Sequence, residues 1–166
     1  KRSGTTAVFV THDQEEALLL GDHVGVMRDG RLEQIDTPEG IFHRPQTRFV
    51  AEFLGHTHFL PGRVTAAGIS SPLGILSRPG LPALGAEVEI ALRPDDVAFA
   101  PDDDGDSRVL SRRFTGMAYV YQIGLPDGSI VHSMQPHEIR VAEGSGVAAR
   151  FTPAGKPPVV HGREAV

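Results

Sequence analysis

Two rhythms of hydrophobic positions divide the chain near Gly55. In residues 1–55, strand-like and helix-like stretches alternate. Thr5-Thr6-Ala7-Val8-Phe9-Val10-Thr11 is β-branched and apolar on both faces, which predicts a strand buried in a parallel sheet. Asp13 follows as a helix N-cap with Glu16 as its capping-box partner, so a helix is expected from about Gln14 to Leu20. Val24–Met27 and Arg31–Ile35 flank Asp29-Gly30, a strong hairpin turn. Thr37-Pro38 reads as an N-cap followed by proline at the first helical position, and this helix ends before Pro45. Phe49, Val50, Phe53 and Leu54 recur at helical spacing in a last helix from about Gln46 to Leu54, and Gly55 ends it.

Residues 56–166 lose the helical period. Short apolar stretches recur between turn signals, predicting strands near 59–67, 72–78, 86–93, 96–100, 108–115, 117–125, 129–134 and 147–152. Leu125-Pro126-Asp127-Gly128 is the clearest hairpin, and Tyr119 and Tyr121 share one face of a half-buried strand. The pattern is that of a small barrel or sandwich. Glycine and proline agree with the division, with 8 in residues 1–55 against 24 in 56–166.

Composition narrows the function. The chain has 166 residues, no cysteine and a net charge of −5. This excludes a disulfide-stapled mini-protein and any cysteine-based metal or redox site. No apolar run approaches the roughly 20 residues of a membrane-spanning helix. Only Lys1 and Lys156 are lysines, and the acidic balance leaves no footprint for nucleic acid.

Few residues point to chemistry. His12 lies where an apolar strand gives way to a helix, the place where open α/β sheets hold ligands. A histidine there can reach a phosphate oxygen or an attacking water, or simply cap the strand end. His56-Thr57-His58 and the His132/His137 pair lack a third ligand at a defined spacing, so no metal site is expected. Asp102-Asp103-Asp104-Gly105-Asp106 departs from the calcium-loop frame and reads as a solvated loop, while Asp95-Asp96 reads as a turn. Neither a phosphate-binding loop nor a nucleophile elbow occurs.

Val8-Phe9-Val10-Thr11-His12-Asp13-Gln14-Glu15-Glu16-Ala17-Leu18 resembles the switch-histidine segment of ATP-binding-cassette (ABC) ATPases. The resemblance continues through Gly21–Pro38, Ile41–Pro45 and Thr47–Gly55, toward the importer subclass serving sugars, polyamines, sulfate or ferric iron. Phe59–Val64 and Glu89-Ile90-Ala91-Leu92-Arg93-Pro94-Asp95-Asp96-Val97 resemble more loosely the TOBE domain, an OB-like barrel that follows in that subclass. The resemblance implies a mainly β fold: a C-terminal TOBE β-barrel over 56–166, preceded at 1–55 by an α/β remnant of the nucleotide-binding domain.

Carried over by residue, the resemblance makes His12 the catalytic switch histidine, contacting the ATP γ-phosphate and placing the attacking water. Asp13, Gln14 and Glu16 would be structural. The family's phosphate loop, signature motif and aspartate-glutamate pair are absent, so the chain reads as a C-terminal fragment of a parent ATPase. The parent would use ATP and Mg²⁺; the fragment would bind no cofactor and hydrolyse nothing. Implied partners are a second ATPase subunit in a homodimer, membrane permease subunits and, indirectly, an extracytoplasmic substrate-binding protein, with no nucleic acid. The implied place is cytoplasmic, peripheral on the inner face of the plasma membrane. Arg112-Arg113-Phe114-Thr115-Gly116 favours ferric iron over other cargoes. An alternative is a small-ligand or oxyanion-binding module without enzymatic activity, with Ser70-Ser71 and Ser145 as its weak candidates. An OB-fold nucleic-acid binder would need Tyr119, Tyr121, Arg112 and Arg113 as its platform.

Three further expectations follow. Gly40 stands where many relatives carry glutamate, which should weaken the cap of its helix. The strand at Thr5–Thr11 has no neighbour in this chain, and unpaired apolar strands seek partners. Residues 1–55 should therefore self-associate, rearrange or stay partly disordered, with the stable core in 56–166.

Overall fold

The computed structural model describes residues 4, 6–77, 79–152 and 157–160. Helix α1 (Gln14–Leu20) begins where the Asp13 carboxylate accepts from the Glu16 backbone N–H at 3.1 Å. The return half of the capping box does not form. Glu16 instead accepts from the Thr11 hydroxyl at 3.0 Å, and Thr11 Oγ1 accepts from the Asp13 N–H. Strands β1 (Val24–Arg28) and β2 (Arg31–Asp36) pair antiparallel. Their turn places Asp29 at φ 49° and Gly30 at φ 77°, two left-handed positions of the kind a type I′ turn requires. Helices α2 (Pro38–His43) and α3 (Arg48–Phe53) are capped by the Thr37 and Thr47 hydroxyls. Val24, Val26, Ile41, Val50 and Leu54 close a small core between hairpin and helices.

Two expectations for this region are corrected. Residues 6–11 form no strand; Val8 and Val10 are about nine-tenths exposed. A parallel strand exists only by bonding to neighbours, and the described residues supply none here. Thr5 itself lies outside the described residues. The α2 cap is also sound: the Gly40 N–H donates to Thr37 Oγ1 at 3.1 Å. A Cβ at Gly40 would run into the Asp36 carboxylate, so this tight entry to α2 suits glycine.

Beyond Gly55 the chain is almost all strand. A first sheet contains β3 (His58–Thr65), β4 (Gly68–Ser71), β5 (Gly74–Leu76), β6 (Glu87–Leu92) and β12 (Val159–Val160), in the order β12-β6-β3-β4-β5. A second contains β7 (Val97–Pro101), β8 (Ser107–Phe114), β9 (Ala118–Gly124), β10 (Ile130–Pro136) and β11 (Gly146–Phe151), in the order β10-β9-β8-β11-β7. Both sheets turn alternate residues into one core that includes Leu60, Ile69, Ile90, Val97, Tyr121, Ile123, Val131 and Val147. Across the open side of the second sheet, Ser133 Oγ donates to the Val97 carbonyl at 2.5 Å, tying β10 to β7. The strand expected at 72–78 is the shorter β5, and β4 and β12 went unforeseen.

Tyr121 is a polar node in this apolar core. Its ring is fully buried, 5.0 Å from that of Phe99. Its hydroxyl donates to the Ile139 carbonyl at 2.8 Å and accepts from the Val141 N–H at 3.1 Å. Tyr121→Phe keeps the ring and leaves both backbone groups unpaired, so it is expected to cost about 2 kcal/mol. Urea unfolding measures the loss, and amide exchange should localise it to residues 139–141.

Candidate functional site

His12 sits at the junction built by Thr11, Asp13 and Glu16. It is exposed, one residue before the α1 N-cap, at the end of the uncovered apolar segment. Among the described residues no hydrogen bond or ion pair restrains its ring. The Thr11 hydroxyl ties the segment to α1 through Glu16 and Asp13. The backbone on either side of His12 is thereby fixed while its imidazole stays open to solvent.

Behind α1, an open groove of about 480 Å³ is lined by Gln14, Glu15, Leu18, Phe42, Glu52, Leu54, Gly55 and His56. Phe42 belongs also to the contact joining α2 to the β sheets. Arg93, at the end of β6, lays its guanidinium 3.4 Å from the Phe42 ring centroid and donates to the Phe42 carbonyl at 2.8 Å. The side chain is buried, and burial pulls its pKa down. Its own backbone N–H donates to the Asp96 carboxylate, closing the 3-10 turn Pro94–Asp96. Burial pushes the Asp96 carboxyl up. A second tie is Arg48, which bonds Glu89 on β6 at 2.6 Å and Glu52 at 3.0 Å while stacking on Phe59. Sequence reasoning took Arg93-Pro94 only as a strand end. An arginine directly after the apolar run Ile90-Ala91-Leu92 was the available signal, because a buried guanidinium requires partners.

The remaining candidates fall into place by geometry. Asp102–Asp106 is a tight turn: the Asp104 N–H donates to Asp102 Oδ1 and Arg108 donates to the Gly105 carbonyl. A Cβ at Gly105 would lie 2.6 Å from the Val147 carbonyl oxygen. Gly105→Ala must shift β11 and is expected to destabilise by about 1–3 kcal/mol, checked by thermal melting. Asp95 and Asp96 form the 3-10 turn, as expected. Ser70 and Ser71 line a groove of about 590 Å³ with Arg63, but Glu87 and Glu89 line it too, and carboxylates repel an anion. Ser145 does not reach that groove. Tyr121 is sealed in the core and Tyr119 packs against it under Arg112, so neither offers a free stacking face. Among the described residues His137 pairs only with its neighbour Glu138, whereas His132 meets His58 across the sheets. No group of three metal-ligating side chains forms among the described residues.

Residues 90–155 match the TOBE domain family. That assignment agrees with the mainly β, OB-like architecture of the two sheets. Most of the chain matches a C-terminal part of ABC importer ATP-binding proteins. It is 37% identical over 140 residues to the spermidine/putrescine import ATP-binding protein of Marinobacter nauticus, covering 77% of this chain and 38% of that one. It is 40% identical over 111 residues to the sn-glycerol-3-phosphate import ATP-binding protein of Rhizobium meliloti (66% and 30% covered). It is 43% identical over 98 residues to the sulfate/thiosulfate import ATP-binding protein of Xylella fastidiosa (59% and 28% covered). The chain thus spans less than half the length of the relatives it matches.

Proposed function

We propose that this chain is the switch-histidine end and TOBE domain of an ABC importer ATPase, divided near Gly55. The carrying observation is the match itself: three import ATP-binding proteins named for different cargoes align with this one segment. In this reading His12 contacts the γ-phosphate and positions the attacking water in the whole ATPase, with ATP and Mg²⁺ held by elements outside this chain. The exposed ring on a backbone fixed by Thr11 and Asp13 supports that role. The chain alone binds no nucleotide and is inactive.

The whole protein works as a homodimer against membrane permease subunits, on the cytoplasmic face, with a substrate-binding protein delivering cargo. No helix among the described residues is long and apolar enough to cross a membrane. Polyamine import is the cargo favoured by the relatives with the longer alignments, over 140 and 167 residues, ahead of ferric iron, whose sequence support was Arg112–Gly116. In the structure Arg112 is engaged with Tyr119 and the Val141 carbonyl. The TOBE domain serves regulation and subunit contact. ATP hydrolysis by the whole protein tests the reading. Turnover supports it; an inactive whole protein that binds a small ligand supports the binding-module alternative.

A further inference from the structure

His58 opens β3 in one sheet and His132 stands on β10 in the other. The two rings meet at 4.0 Å between centroids, tilted 70°, with His58 Nε2 against His132 Nδ1. We propose that this pair is an acid-sensitive latch across the seam between the sheets, governing the link that joins β3 to α3.

The proton count makes the contact a switch. Two neutral imidazoles share one N–H: one nitrogen donates and the other accepts. One added proton can be carried on an outer nitrogen without breaking the contact. A second proton places N–H against N–H and brings two cations together, and the contact opens. The surroundings offer the charge no relief. The nearby charged or titratable groups acting on the pair are His56 on the link and Arg113 on β8, both of which oppose protonation. The direct strand partners, Leu92 on β6 and Gln122 on β9, carry no charge. Glu15 and Glu52 line the groove with His56. Burial is the larger cause for both rings, and both pKa values lie below the ordinary 6.5.

The place of the pair gives the switch its reach. His58 follows Gly55-His56-Thr57, the link from α3, which is moored by the Thr57 hydroxyl donating to the Ala51 carbonyl at 2.9 Å. His132 adjoins Ser133, whose hydroxyl ties β10 to β7. Opening the latch therefore loosens both the start of β3 and the β10 edge. This inference does not depend on ATP chemistry.

The sign is fixed by linkage. Groups with lowered folded-state values leave the folded chain with fewer protons than the unfolded chain in acid. The stability they hold is complete above pH 6.5 and is lost as pH falls through the lowered values. The test is an NMR titration of the imidazoles in the 166-residue chain, with melting followed from about pH 7.5 to pH 5. Expected are His58 and His132 titrating below the ordinary 6.5, with amide protection at 58–60 and 131–133 falling in step. In His132→Gln the acid loss in melting temperature should shrink, and in the double variant His58→Gln/His132→Gln, with neither ring left to titrate, most of it should vanish; His137→Gln should keep it. Ordinary titration of both rings in the wild type, or an unchanged acid loss in His132→Gln, overturns the latch.

Discussion

Replacing His12 by alanine in the whole ATPase is expected to lower ATP turnover about 100- to 1000-fold with nucleotide affinity retained. The direction follows from the role proposed for His12. A group that positions water and donates to developing phosphate charge acts in the transition state, so its loss falls on kcat and not on ground-state binding. The structure separates this from a folding effect. The ring is exposed, and the turn around it is held by Thr11, Asp13 and Glu16. The melting temperature of His12→Ala should therefore match the parent. Single-turnover hydrolysis beside equilibrium nucleotide binding is the decisive pair of measurements. Unimpaired turnover would leave His12 an exposed turn residue ahead of α1 and remove the catalytic assignment.

Arg93→Ala is expected to be the most destabilising single change at the junction, by about 3 kcal/mol. The guanidinium makes a charge-assisted bond to the Phe42 carbonyl, worth about 1.5–3 kcal/mol. It also stacks on the Phe42 ring, worth about 2 kcal/mol when desolvated. Against these stand its desolvation and a buried Nε without a partner. Arg93→Lys should recover little, because an ammonium cannot both lie flat on the ring and reach the carbonyl. The loss also depends on pH. The Arg93 backbone N–H and, less strongly, its guanidinium charge oppose the burial that raises Asp96; alanine keeps the first and loses the second, so that carboxyl rises further. A raised carboxyl favours the protonated folded state, so the deficit of the variant should be smaller at about pH 4 than at pH 7. Urea unfolding at the two pH values checks magnitude and sign together. Limited proteolysis should show α2 released first.

Local signals were the legible part of this fold. Asp29-Gly30, Thr37-Pro38 and Leu125–Gly128 each demand a particular backbone, and each delivered it. The segment 6–11 failed for the opposite reason. Its apolar pattern is that of a sheet-embedded strand, and the described chain offers no sheet to embed it. Sheet order was not legible, because pairings such as His58 with Leu92 join distant stretches whose alternation is alike. The family match of His12 could be read from neighbouring residues. Arg93–Phe42 and His58–His132 could not, since each brings together residues far apart in sequence.

Strand β12 carries a last consequence. Val159 pairs with Ile90 and Val160 with Glu89, so β6 gains its outer neighbour only from residues made much later. On the ribosome, β6 and β3 can pair early, but their sheet keeps a bare flank until residue 160 has left the exit tunnel. Completion of this sheet therefore waits for residues synthesised long after β6. A stalled chain ending before Val159 should attract chaperones that bind exposed strand edges, and release of the full segment should end that association.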